Sequence, residues 1–175
     1  MNLFSILLVG HLIGDFPFQT PTILRWKGRG GIWILPHIII HAIMMMILIE
    51  NPLQHWPMVA AIAISHFIID WVKVAAGCKV GDGLSFMLDQ SAHILILWLV
   101  TQIAGVTSHQ FTFDYLPLIL GLLVMSAVFM YLNVIKGQME TMRLTGFVGK
   151  YAFYISKAAG WTAALSLLLS LRFLP

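Results

Sequence analysis

The sequence predicts an all-α protein, a polytopic membrane helical bundle of about six transmembrane helices that forms a single integral membrane domain over residues 1–175. Hydrophobic residues make up 59% of the chain and charged residues only 10%, and the mean hydropathy is +0.90. Apolar runs close to the ~20 residues of a spanning helix recur along the whole chain. The connections between these runs are short, so the sequence leaves no room for a separate soluble domain.

Six apolar segments are predicted to span the membrane. The first carries Asp15, lacks a basic start and has no small-residue cleavage site, so we interpret it as a retained helix and not as a signal peptide. Pro17 and Pro21 are expected to loosen its end. The single Cys78 excludes an internal disulfide. The predicted helices 1 to 6 cover residues 2–20, 31–50, 57–76, 84–105, 115–136 and 148–172.

The basic residues predict the orientation of these helices. Lysine and arginine occur in the loops after helices 1, 3 and 5, whereas the loops after helices 2 and 4 contain neither. Because cytoplasmic loops carry the excess of lysine and arginine, both termini are predicted to lie outside the cytoplasm. No basic run with interleaved aromatic residues occurs, so the sequence gives no case for nucleic-acid binding.

Four predicted helices each carry two ionisable residues four positions apart in otherwise apolar sequence. Residues at this spacing lie on one face of a helix. Ionisable groups inside a membrane are costly and usually functional. With the predicted helix ends, the four pairs share one layer roughly 7 to 15 Å below the cytoplasmic surface. The pairs are His11 with Asp15, His37 with His41, His66 with Asp70, and Asp89 with His93.

The same motifs indicate an internal repeat. The sequence GHLIGDF on helix 1 aligns with SHFIIDW on helix 3, and HIIIH on helix 2 aligns with DQSAH on helix 4. This repeat predicts that helices 1–2 and 3–4 are tandem hairpins related by a pseudo-twofold axis along the membrane normal.

Imidazole and carboxylate groups together are typical ligands of divalent metal ions. Zinc is favoured, with iron, manganese and nickel as alternatives. Five histidines and three aspartates exceed the four ligands of one tetrahedral ion, so either two ions bind or some groups orient ligands or act as acid and base. The candidate metal ligands are His11, Asp15, His37, His41, His66, Asp70, Asp89 and His93.

Further roles follow from neighbouring polar residues. Asp70 and Asp89 are candidate acid–base catalysts, and Lys73 is a candidate for stabilising anionic charge, although it could equally snorkel or pair with Asp70. Gln19 and Gln90 are candidates for orienting ligands. Asn133, Tyr154 and Lys157 are polar residues of predicted helices 5 and 6 that could form an anion-binding edge. Snorkelling and packing are the alternative explanation for their presence there.

We therefore expect a metal-dependent intramembrane enzyme, most readily a hydrolase that acts on a lipid or lipid-linked amphiphile at the cytoplasmic leaflet. The alternatives are a divalent-metal or proton-coupled transporter, and a small-molecule-binding membrane subunit of a transport complex. A purely structural role, with the polar groups joining helices by hydrogen bonds, is also open. Expected partners are membrane lipids, an unidentified lipid or small-molecule substrate, and a second copy of the chain.

The motifs GHLIGDFPFQT, HFIIDWVK and LDQSAH, with a histidine-bearing helix between the first two, resemble an uncharacterised bacterial and phage family of small polytopic membrane proteins, a domain of unknown function. The resemblance covers about residues 8–97 and implies a multi-pass protein of the bacterial cytoplasmic (inner) membrane. It implies no activity. The positions that match the pattern are Asp15, Gln19, Lys27, His41, His66, Asp70, Lys73, Asp89, Gln90 and His93.

Overall fold

The computed structural model describes residues 3–77, 83–104, 116–136 and 147–170, and this part of the chain is all-helical, as predicted. It contains α1 (Leu3–Asp15), α2 (Pro21–Lys27), a 3-10 helix (Gly31–Ile34), α3 (Leu35–Leu48), α4 (Trp56–Ala75), α5 (Gly83–Ala104), α6 (Leu116–Lys136) and α7 (Phe147–Ser170).

Within the described residues, five helical segments are long and apolar enough to cross a membrane, and the protein is therefore a polytopic membrane helical bundle. Each of these segments has at least 18 residues, and α1 is a shorter apolar helix. The five segments are Gly31–Leu48, Trp56–Ala75, Gly83–Ala104, Pro117–Val134 and Tyr151–Leu169.

The first predicted helix, residues 2–20, is shorter in the structure, because α1 ends at Asp15. Its 13 residues extend roughly 20 Å, less than the ~30 Å of a bilayer core. Pro17 has no N–H to continue the helix, and Pro21 begins the separate helix α2. Thr20 caps α2, since its Oγ1 accepts a hydrogen bond of 3.3 Å from the Ile23 N–H. The sequence analysis did not predict α2.

Lys157 of α7 stabilises the irregular segment between α1 and α2. Non-helical backbone at membrane depth requires partners for its polar groups. The Lys157 Nζ donates hydrogen bonds to the backbone oxygens of Phe16 and Gln19, the second at 2.8 Å. Gly160 lets α7 approach this segment closely, because a Cβ there would lie 3.1 Å from the Pro17 Cδ. The break in the first predicted span is thus held by tertiary contacts.

The helices α1, α3, α4 and α5 form a ring. Helix α1 packs against α3, and α4 packs against α5, so these are the two predicted hairpins. Contacts of α3 with α4 and of α1 with α5 close the ring. Two hairpins related by a twofold axis produce this pattern of contacts. Helices α6 and α7 pack chiefly on each other, and both contact α1.

Apolar side chains fill the end of the ring where α1 and α4 begin. Neighbouring helices of the ring are antiparallel, so the ends of α3 and α5 lie at the same level. The buried residues of this apolar core are Leu3, Leu7, Met45, Ile49, Met58, Val59, Ile62 and Leu97. The polar pairs are therefore confined to the opposite end of the ring.

Two serines join α6 to α7 by reciprocal hydrogen bonds. The Ser126 Oγ donates to the Ser156 backbone oxygen at 2.6 Å, and the Ser156 Oγ donates to the Ser126 backbone oxygen at 2.7 Å.

Interhelical hydrogen bonds in membranes contribute on average ~0.6 kcal/mol to stability. We expect Ser126→Ala and Ser156→Ala each to lower the free energy of unfolding by about that amount, measured by SDS-induced unfolding in mixed micelles. Ser166→Ala is the control, because the Ser166 hydroxyl bonds within α7 to the Thr162 oxygen; losses no larger than the control's would contradict this role.

Candidate metal centre

All eight predicted ligands meet at one end of the four-helix ring. The last turns of α1 and α4 lie beside the first turns of α3 and α5, and each i, i+4 pair faces the interior. The side chains come from four helices and are all between 0 and 7% exposed. They are His11, Asp15, His37, His41, His66, Asp70, Asp89 and His93.

One group of four residues has the spacing of a tetrahedral site. The Asp15 Oδ1 lies 3.2 Å from the His37 Nε2 and 3.2 Å from the His41 Nε2, and the His37 Nε2 lies 3.2 Å from the His66 Nε2. One ligand atom from each of Asp15, His37, His41 and His66 lies within 4.8 Å of the others. Tetrahedral zinc with bonds of about 2.0 Å separates neighbouring ligand atoms by roughly 3.3 Å. The four residues could therefore hold one such ion.

A second group consists of His66, Asp70 and His93, whose ligand atoms also lie within 4.8 Å of one another. The Asp70 Oδ2 is 3.5 Å from the His66 Nε2, and the Asp70 Oδ1 is 3.5 Å from the His93 Nε2. The His93 Nε2 is also 3.5 Å from the Asp89 Oδ1. Because His66 belongs to both groups, the two could not each hold an ion independently.

The sequence repeat is also a repeat of geometry. His11 contacts Asp15 at 3.4 Å on α1, as His66 contacts Asp70 at 3.5 Å on α4. Across each hairpin, His41 of α3 reaches Asp15 at 3.2 Å and His93 of α5 reaches Asp70 at 3.5 Å. The two hairpins thus contribute equivalent carboxylate–imidazole units.

Several buried polar atoms of this cluster have no hydrogen-bond partner within the described part of the chain. They include the Asp89 Oδ1 and the His93 Nε2, which face each other, and the Nδ1 atoms of His11, His37 and His41. Buried polar groups are normally hydrogen-bonded. A cation held by the His93 Nε2 with oxygens of Asp70 and Asp89 would satisfy part of this set, since the Asp70 oxygens also lack a hydrogen-bond partner in the described part of the chain. The Nε2 atoms of the first group already lie against one another and against Asp15, so for that group it is the spacing that fits a divalent ion.

Lys27 is a member of the cluster, whereas the sequence analysis gave it no site role and named it only as a position that matches the family pattern. Helix α2 folds back, so that the Lys27 Nζ lies 2.5 Å from the Asp70 Oδ1 and 3.4 Å from the His37 Nε2. Burial by itself lowers the pKa of Lys27, but the neighbouring carboxylates, chiefly that of Asp70, raise it more, and the pKa lies above the ordinary lysine value. Lys27 therefore brings a permanent positive charge to the Asp70 side of the cluster. The one sequence signal for it was the family resemblance.

Lys73 pairs with Asp89 of the next helix, α5, and not with Asp70. Its Nζ is 2.9 Å from the Asp89 Oδ2, while Lys27 takes Asp70. Gln90 donates from its Nε2 to the Asp15 Oδ2 at 2.6 Å, which is the geometry of a residue that orients Asp15. Gln19, the other candidate for orienting a ligand, follows the end of α1 and so does not lie one helical turn beyond Asp15 on the same face. Its backbone oxygen accepts a hydrogen bond from Lys157.

Gly14 allows the His41 ring to lie directly against α1. A Cβ at Gly14 would come 2.5 to 2.8 Å from three atoms of that ring. No side chain larger than hydrogen fits without moving His41. The sequence analysis missed this glycine, because the close approach is made across the hairpin.

A cavity of about 210 Å³ adjoins the cluster. Asp15, Asp89 and Gln90 line its cluster side. Residues of α6 and α7 line the opposite side, including Asn133 and Lys157. Tyr154, which the sequence analysis grouped with these two, is not among the lining residues, and its side chain is 68% exposed. The remaining lining residues are Phe16, Gln19, Pro21, Leu24, Lys27, Lys73, Val74, Phe86, Met130, Val134 and Phe153.

Comparison with known proteins identifies a family and no characterised relative. No curated protein and no solved structure matches the chain. The family model described as protein of unknown function (DUF3307) matches residues 3–120, which is more than half of the chain and contains all eight residues of the cluster. The resemblance to an uncharacterised family is thus confirmed, and the chain belongs to the family of proteins of unknown function DUF3307.

Proposed function

We propose that the protein is a metal-dependent intramembrane enzyme, a hydrolase that acts on a lipid or lipid-linked amphiphile at the cytoplasmic leaflet. The observation that carries this proposal is the buried group of Asp15, His37, His41 and His66 beside a cavity lined by lysines. Three imidazoles and a carboxylate favour zinc over magnesium or calcium, which prefer oxygen ligands. When bound, a divalent ion supplies an acidified water and polarises a substrate oxygen.

The chain's own residues would complete the chemistry at the cavity. Asp89 lies at the cavity wall, between the Lys73 Nζ at 2.9 Å and the His93 Nε2 at 3.5 Å, and is the candidate to take up and return a proton. Lys73 would donate to an anionic oxygen of the substrate. Asp70 is fully buried and paired with Lys27, so its role would be to orient His66 and His93.

The basic residues support a site near the cytoplasmic face. Arg25, Lys27 and Arg29 lie at the end of the ring that carries the cluster, and cytoplasmic loops are enriched in such residues. A layer just below the interface is accessible to headgroups and water from one side. The proposed location is the bacterial cytoplasmic membrane, with both termini outside the cytoplasm and membrane lipids as partners.

The apolar core at the other end of the ring favours an enzyme over a transporter. A transported ion would have to pass Leu7, Met45 and Ile62, which are at most 2% exposed. A divalent-metal transporter remains the second candidate, because a buried histidine and aspartate cluster also suits a carrier. Zinc uptake into proteoliposomes that carry the purified protein, lost in His41→Ala, would favour the transporter.

Metal analysis tests the metal site. We expect detergent-purified wild-type protein to hold about one divalent ion per chain, as a single tetrahedral group predicts, measured by inductively coupled plasma mass spectrometry. His41→Ala and His66→Ala should lose most of it. His55→Ala is the matched control, since His55 precedes α4 at the opposite end of the ring.

Two outcomes would contradict the proposal. Folded wild-type protein that takes up no zinc, iron, manganese or nickel during dialysis would remove the metal site. The hydrolase assignment would fail if metal-loaded wild-type protein released no more product than Asp89→Asn from carboxylic and phosphoric esters of short-chain lipids.

A further inference from the structure

We propose that the cavity beside the cluster is an anion-binding subsite for the phosphate-bearing headgroup of a lipid, with Lys157 and Lys73 on the phosphate. This inference rests on the proposed function, because it names the substrate class of the same site.

Three lysines from three separate helices line this cavity: Lys27 of α2, Lys73 of α4 and Lys157 of α7. Two carboxylates, Asp15 and Asp89, line it as well, and a third, Asp70, pairs with Lys27 behind the wall, so among the described residues three lysines face three carboxylates. Convergence of cations from distant parts of a chain is electrostatically unfavourable unless an anion joins them. Asp70 and Asp89 do this for Lys27 and Lys73, and a bound anion could do it for Lys157.

Lys157 is the lysine whose charge is left for a ligand. Lys27 and Lys73 have carboxylate partners at 2.5 and 2.9 Å. Within the described ranges Lys157 has no carboxylate at ion-pair distance, and it donates to two backbone oxygens. An ammonium has three donors, so one remains. Lysine is a common phosphate binder that acts as a point charge.

Apart from Gln19, Gln90 and Asn133, the rest of the cavity wall is apolar, which indicates an amphiphile instead of a free ion. The apolar residues come from α5, α6 and α7, with the α1–α2 segment closing the wall; they are Phe16, Leu24, Phe86, Met130, Val134 and Phe153. A volume of about 210 Å³ is smaller than the ~300–1,000 Å³ of pockets that enclose a drug-sized ligand. The cavity thus fits a headgroup and its first methylenes, with the acyl chains outside in the bilayer.

Aromatic residues on α2 and on the 3-10 helix that follows it indicate that the cavity lies at headgroup depth. The rings of Trp26 and Trp33 are 6.3 Å apart, and the Arg29 guanidinium lies 5.1 Å from the Trp33 ring centre. Tryptophan and arginine side chains of this kind collect at the membrane interface. A lipid phosphate occupies the same level.

Calorimetric titration with dihexanoyl phosphatidic acid tests the subsite on both metal-loaded and chelator-treated protein. We expect binding by the wild type, and Lys157→Gln should weaken it about tenfold to hundredfold, as loss of a hydrogen bond to a charged group does. Arg25→Gln is the matched control, since Arg25 is an exposed cation of α2. Dihexanoylglycerol, which lacks the phosphate, should not bind measurably.

A second variant guards against misfolding of Lys157→Gln, because Lys157 also holds the backbone after α1. Asn133→Asp is nearly isosteric and adds a negative charge to the cavity wall, so it should weaken binding of phosphatidic acid and leave the metal content unchanged. Unchanged affinity in both variants would overturn the subsite. Inorganic phosphate that binds as tightly as phosphatidic acid would overturn the lipid assignment. If chelator-treated wild type binds phosphatidic acid and Lys157→Gln weakens that binding, the subsite is upheld even where the metal proposal fails.

Discussion

Replacement of Gly14 by alanine is expected to weaken zinc binding tenfold to hundredfold, about the loss seen when the supporting shell of a metal ligand is disturbed, although no ligand is removed. The new Cβ would lie 2.5 Å from the His41 Cε1 and 2.6 Å from its Nε2. His41 would have to move, and its 3.2 Å approach to the Asp15 Oδ1 would be lost. Competition titration against a chromophoric zinc chelator measures the change.

Gly121→Ala is the control for this substitution. It makes the same change in the interior of α6, where a Cβ at Gly121 meets no atom of the described structure within 4 Å. Alanine is the better helix former by about 1 kcal/mol, so this variant should bind zinc normally and unfold no more readily. Wild-type zinc affinity in Gly14→Ala would show that His41 is not a ligand in the position described.

Replacement of Lys27 by methionine is expected to lower the free energy of unfolding by about 3 to 5 kcal/mol, the usual cost of removing one partner of a buried ion pair. Asp70 is fully buried, and the Lys27 Nζ lies 2.5 Å from its Oδ1. Methionine keeps the length of the side chain and removes the charge, which leaves the Asp70 carboxylate without its ammonium partner. SDS-induced unfolding in mixed micelles, followed by circular dichroism, measures the loss.

Two further variants separate the ion pair from a general effect on α2. Arg25→Met changes an exposed cation in the same short helix. Among the described residues its one side-chain hydrogen bond is to the Thr22 Oγ1, at 3.3 Å, so the substitution should change stability by less than about 0.5 kcal/mol. Lys27→Met combined with Asp70→Asn removes both charges and should recover part of the loss. If the double variant is less stable than Lys27→Met, Lys27 does not act mainly through Asp70.

The same residues show how far sequence reasoning reaches. The i, i+4 spacing of His66 and Asp70 is fixed by the helical repeat, so their shared face could be predicted without any tertiary contact. The opposed directions of successive spans then placed Asp15 and Asp89 at the same level. By contrast, the predicted end of the first helix near residue 20 was wrong, because Pro17 breaks the helix and Lys157, 140 residues away along the chain (157 minus 17), supplies partners for the freed oxygens.

The sequence by itself determined the membrane bundle, the two tandem hairpins and the layer of eight ionisable residues, because run length, helical period and repetition are local properties of the chain. The tertiary structure alone decided which of those residues touch. It paired Lys27 with Asp70 and Lys73 with Asp89, set three contacts of 3.2 Å within the candidate metal group, placed Gly14 under His41 and enclosed a cavity between the ring and α6–α7. These contacts depend on how the helices pack and rotate against one another, which spacing within a single helix does not specify.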